Sequence, residues 1–133
     1  MELQKVLKEL ITYPTEANWF EFKVNWYEPN GIGEYISSLA NAAAMGGREC
    51  GYLVWGVDND SHEIVGTSFN YRTTVRNEPL EHYLARQIVP DNSFSFHEIM
   101  IEGKRVVVLI VSAANKIPTG FAGNRYMRIG SSK

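Results

Sequence analysis

The sequence is poor in cysteine: Cys50 is the only one in 133 residues. A single thiol excludes an internal disulfide framework and any zinc site built on several cysteines, and it fits a reducing compartment such as the cytoplasm. Long apolar runs are also lacking. Val106–Val111 is the longest and is far too short to cross a bilayer, so no membrane partner is expected. The opening MELQKVLKEL is charged and amphipathic, unlike a secretory signal. There is no G-x-x-x-x-G-K-[ST] phosphate loop. Gly46-Gly47 follows a helix and precedes a strand, the wrong order for a helix N-terminus that cradles phosphate. The GIG at 31–33 lacks the third glycine of a dinucleotide fingerprint and reads as a turn. His62, His82 and His97 are dispersed over a turn, a helix and a strand, and Cys50 has no histidine placeable beside it, so neither a nucleophilic triad nor a histidine metal site emerges. Repeats and low-complexity tracts are absent.

What remains is an ordinary globular composition, 44% hydrophobic and 21% charged, in a chain of single-domain length, 1–133. At this size about two-thirds of the unfolded chain's surface can be buried. Net charge is only −2, but it is unevenly spread. Residues 1–66 hold four Lys/Arg against ten Asp/Glu, and residues 67–133 hold nine against five. From Gly103 onward there are six basic residues and no acidic one. Such an asymmetry points to an acidic and a basic region on one small body, or simply to solvated faces.

Apolar periodicity places a helix over 3–11, with Leu3, Val6, Leu7, Leu10 and Ile11 on one stripe, ended by Tyr13-Pro14-Thr15. Trp19–Trp26 alternates as a strand, with Phe20, Phe22 and Val24 on the core face and Glu21 and Lys23 opposite. A helix is predicted over Ile32–Met45 and stops at Gly46-Gly47. Tyr52–Val57 reads as a buried strand, Asp58–Ser61 as a turn, and Glu63–Gly66 as a returning strand. Glu78–Val89 has helical spacing. Phe94–Ile101 and Arg105–Ser112 form a hairpin about Glu102-Gly103-Lys104, and Arg125–Ile129 is a final strand. This order predicts a single α+β domain: a mixed, mostly antiparallel sheet flanked by about three helices. The strand–helix–strand step from Trp19 to Val57 permits one parallel pair.

Two constellations carry chemistry. Glu16, Glu21 and Asp58 converge at one end of the sheet if the first two strands are neighbours. Hard carboxylate oxygens suit Mg²⁺ or Mn²⁺ and could hold a metal that activates water on a phosphodiester, with Lys23 beside them to neutralise one carboxylate or to contact a phosphate of bound nucleic acid. The same residues also read as a turn aspartate and a strand ion pair. The second constellation is the basic C-terminal stretch. Arg125, Tyr126 and Arg128, with Lys104, Arg105 and Lys116, pair phosphate-neutralising cations with an aromatic stacking surface. It equally describes an edge strand kept soluble by arginines, and exposed strand edges leave room for a homodimer.

In order along the chain, "E-x4-EFK" at 16–23, "ISSLANAAA" at 36–44, "GYLVWGVDNDSHEIVGTSF" at 51–69, "IVP" at 88–90, "GKRVVVLIV" at 103–111, "KIP" at 116–118 and "NRYMRIGSSK" at 124–133 resemble the bacterial Schlafen/AlbA_2 DNA-binding domain, also called the divergent AAA-4 domain. The resemblance implies an α+β domain that binds nucleic acid, DNA being favoured and RNA allowed. It also implies the N-terminal module of a longer transcriptional regulator, needing no cofactor for binding. In RNA-cleaving relatives the E-x4-E pair and an aspartate after the second strand form a metal-dependent nuclease site. Glu16, Glu21 and Asp58 match these, and Asn59 stands where many relatives have a second aspartate. The resemblance therefore carries a second implication, a Mg- or Mn-dependent nuclease.

Overall fold

The computed structural model describes residues 2–13, 17–90, 92–114 and 118–126. A four-stranded sheet forms its centre. Its strands are β1 (Phe20–Lys23), β2 (Cys50–Trp55), β6 (Phe94–Ile101) and β7 (Lys104–Ser112), in the order β1-β2-β7-β6. β1 and β2 run parallel, with Phe20 beside Tyr52 and Lys23 beside Trp55, and the other two pairings are antiparallel. The parallel pair is joined through α2 (Pro29–Met45), as a parallel pair requires a crossover. The sheet is therefore the mixed, mostly antiparallel one that the sequence predicts.

Both faces of this sheet are covered. On one, α1 (Leu3–Leu10) sets Leu7 and Leu10 against Phe20, Phe22, Tyr52, Val54, Val106 and Val108. On the other, α2 and the short α3 (Leu80–Ala85) pack Ile32, Ile36, Leu39, Leu80 and Leu84 against Leu53, Trp55, Val107 and Leu109. Helix α2 is buried nearly all round, because a third layer lies beyond it. That layer is a small sheet of β5 (Ile88–Val89), β8 (Gly120–Phe121) and β9 (Asn124–Arg125). A separate two-stranded ribbon joins β3 (Thr74–Val75) to β4 (Glu78–Pro79).

Several elements differ from the sequence reading. The GIG at 31–33 lies inside α2, which starts at Pro29; proline suits the first helical turn, where its missing N–H is not needed. The helical pattern of Glu78–Val89 splits into β4, α3 and β5, since Glu78-Pro79 pairs with β3, Leu80 and Leu84 face the core, and Ile88-Val89 pairs with β8. The returning strand at Glu63–Gly66 reduces to one bridge, Val57 with Ile64. β1 ends at Lys23, and Val24 beyond it is half-buried rather than core. The final strand shortens to β9, and 127–129 fall outside the described residues.

Candidate nucleic-acid interface

The third layer is what mounts the described part of the C-terminal stretch, 118–126, with Arg125. A helix buried on all sides cannot leave its polar side chains unpaired. Ser37 and Asn41, one turn apart on α2, meet this demand by bonding the backbone of 119–126. Ser37 Oγ donates to Thr119 O at 2.6 Å and accepts from Tyr126 N at 3.0 Å. Asn41 Nδ2 donates to Thr119 O at 3.0 Å and Tyr126 O at 2.8 Å, while its Oδ1 accepts from Thr119 N at 2.7 Å. Five hydrogen bonds thus latch both ends of the β8–β9 hairpin to one helix.

Between these ends the chain reverses over Ala122 and Gly123, with φ of 50° and 87°. Phe121 drops into α2 opposite Gly33, where a Cβ would stand 2.1 Å from the ring. Arg125, on β9 opposite Gly120, is left exposed on this fixed mount. Tyr126 is half-buried against the core. Lys116 and Arg128 lie outside the described residues.

Lys104 and Arg105 belong to the central sheet instead, after the Glu102-Gly103 turn. Lys104 is exposed. Arg105 is committed: its Nε donates to Glu98 Oε1 at 2.7 Å and its Nη1 to Thr67 O at 3.1 Å. Of the described basic residues that the sequence groups together, Lys104 and Arg105 are carried by the central sheet and Arg125 by the third-layer sheet.

The carboxylates occupy distinct surroundings. Glu21, level with Leu53, is on the sheet face covered by α2 and is only 4% exposed. Lys23 Nζ is 3.7 Å from Glu21 Oε2 and lies over the rings of Trp26 and Tyr35, at 5.1 and 5.4 Å. Asp58 organises the 58–61 turn, its Oδ1 accepting from Asp60 N at 2.9 Å and Ser61 N at 2.8 Å. These backbone donors, Ser61's first, hold its carboxyl below the usual carboxylate value. Glu16 is outside the described residues. Among the described residues no group of three or more His, Cys, Asp or Glu side chains could hold a metal ion.

Sequence reasoning passed over Ser37 and Asn41. Their signal is present in "ISSLANAAA": a hydroxyl and an amide at i and i+4 in an otherwise apolar helix.

Among the described residues no helix is long and apolar enough to cross a membrane. No curated protein sequence matches the chain significantly. Among solved structures that share the fold are the following two. The DIP2311 protein from Corynebacterium diphtheriae superposes with a TM-score of 0.56 at 16% identity, covering 96% of this chain and 25% of that one. The N-terminal domain of a protein from Nitrosomonas europaea, described as related to the ATP-dependent DNA helicase RecG, superposes with a TM-score of 0.55 at 23% identity, covering all 100% of this chain and 92% of that domain. The chain thus corresponds to about a quarter of the Corynebacterium protein. The sequence profile of the Schlafen AlbA_2 family matches residues 16–133, and the chain belongs to that family.

Proposed function

We propose that this domain binds nucleic acid, with DNA the favoured ligand, as a module of a transcriptional regulator. The observation that carries this reading is the latched β8–β9 hairpin. Two buried side chains of α2 are spent on holding a carboxylate-free, basic segment in one conformation, with Arg125 facing solvent. A preorganised cation loses less freedom on meeting a phosphate than one on a loose tail. Lys104 supplies a second exposed cation. Family membership and the RecG-related description of a fold neighbour support the same reading.

Fluorescence anisotropy with labelled duplex DNA over a salt series tests it. Binding should weaken with log salt at a slope of about −0.9 per phosphate neutralised. Arg125→Ala with Arg128→Ala should weaken binding on every sequence and flatten the slope; unchanged binding removes the basis for this interface. The nuclease reading is separated by incubation with Mn²⁺ and tRNA or single-stranded DNA. Cleavage abolished by Glu21→Gln would favour catalysis at Glu16, Glu21 and Asp58. No cleavage, or cleavage surviving that change, leaves a binding domain.

A further inference from the structure

We infer that the β3–β4 ribbon is a base-reading element that enters the major groove of duplex DNA, with Arg76 and Asn77 at its tip on base edges. This rests on the nucleic-acid reading above and assigns it a specificity element. Thr74 pairs with Pro79 and Val75 with Glu78, so Arg76-Asn77 is a two-residue reversal. Both have positive φ, 52° and 67°, the type I′ geometry that favours Asn or Gly. Asparagine suits it; arginine does not, and a strained backbone kept at a surface tip points to a use for the side chain.

The ribbon presents the right groups in the right direction. Tyr71 and Val75 turn inward onto the core, while Arg72, Thr74 and Arg76 alternate outward and are exposed. Residues 67–77, TSFNYRTTVRN, contain two arginines, four hydroxyls besides tyrosine, two asparagines and no carboxylate. Glu78, the acidic residue of the ribbon, is engaged by Arg86, whose Nε lies 3.2 and 3.1 Å from its two oxygens. Glu81, exposed on α3, lines a cleft together with Arg72, Thr73 and His82.

Chemistry then selects the partner. The B-DNA major groove, about 12 Å wide, admits a two-stranded ribbon. Arginine pairs bidentately with guanine O6 and N7, and asparagine with adenine N6 and N7. The deep, narrow major groove of A-form RNA is closed to such side chains. Arg72, at the root of the ribbon and stacked 4.7 Å from Tyr71, is placed for the flanking phosphates.

The test selects a preferred duplex from a randomised DNA library with the wild-type domain. Its binding is then compared with the same duplex carrying 7-deazapurines, which lack the N7 acceptor, and with duplex RNA of that sequence. The partner variant is Arg76→Gly with Asn77→Gly, which keeps a turn type I′ accepts. The wild type should discriminate against the 7-deaza duplex by about 5- to 150-fold, the range of a bidentate contact. The Gly-Gly variant should lose that discrimination while still binding DNA in a salt-dependent way. Salt-dependent DNA binding with no 7-deaza effect, or an effect that persists in the variant, overturns the ribbon's role and leaves the proposed function standing. Equal or tighter binding to the RNA duplex overturns the major-groove assignment. No binding to any nucleic acid overturns both.

Discussion

Gly33→Ala offers a sharp test of how the C-terminal hairpin is seated. In an exposed helix interior this change stabilises by about 1 kcal/mol, because alanine restricts the unfolded chain. Here the sign should reverse. The new Cβ would stand 2.1, 2.3 and 2.4 Å from three carbons of the Phe121 ring, where non-bonded carbons normally keep about 3.5–4.0 Å. The ring has little room to yield: Phe121 is 2% exposed, and its backbone is held between β5 and β9. Overpacking of this kind costs about 1–3 kcal/mol. Set against the helix gain of about 1 kcal/mol, the net expectation is a loss of up to about 2 kcal/mol. Phe121→Ala alone should cost about 3–5 kcal/mol. In that background the obstruction is gone, so Gly33→Ala should become neutral or stabilising, a coupling of about 1–3 kcal/mol, the size of the overpacking cost removed. Urea denaturation of the four proteins, with midpoints compared at equal m, measures the cycle. A Gly33→Ala protein as stable as wild type, with additive effects in the double variant, would refute the seating of Phe121 on α2.

Other expectations follow from the same packing and hydrogen bonds. Asn41→Ala leaves the buried Thr119 N–H without its acceptor, at about 1–3 kcal/mol for such a group, and should raise hydrogen exchange across 119–126 and weaken DNA binding together; normal protection there would contradict the latch. Arg105→Ala should lower stability and leave the salt slope of DNA binding nearly unchanged, because Arg105 is occupied by Glu98 and Thr67. Asp58 titrates lower folded than unfolded, so its contribution is complete above the ordinary carboxylate value of about 3.9 and is lost as pH falls through its lower folded value. Asp58→Asn should therefore lower the melting temperature at pH 7 by more than at pH 2, and an equal shift at both would count against the turn's role. Burial first, and then Glu49, push the Cys50 thiol above its usual value, so alkylation at pH 7.5 should lag that of an unstructured cysteine peptide.

The central fold was legible because its signals are local. Period-two alternation in Phe94–Ile101 and the Glu102-Gly103 turn specify a hairpin with no help from the rest of the chain, and the structure keeps the bounds of that strand. The third layer was not legible. β5, β8 and β9 are two residues each, too short for any periodicity, and exist only because α2 and the 119–126 segment supply partners. Gly33 shows the limit well. In isolation a glycine near Pro29 reads as a turn; its reason is a phenylalanine 88 positions later in the chain. The candidate site divides the same way. Arg125 announced itself through charge, whereas Ser37 and Asn41 were hidden in a helix that looks simply apolar. Alternation places Glu21 opposite Phe20 and Phe22, where it was grouped with Glu16 and Asp58 at one end of the sheet. That opposite face proved to be the one α2 covers, and covering of both sheet faces is a tertiary fact that alternation cannot report.

The most direct measurement is the salt dependence of duplex DNA binding by the wild-type domain and by Arg125→Ala with Arg128→Ala. Log affinity should fall linearly with log salt, and the variant should bind more weakly with a slope shallower by about 0.9 for each phosphate no longer neutralised. Absence of binding, or binding indifferent to both salt and these arginines, would contradict the proposed interface.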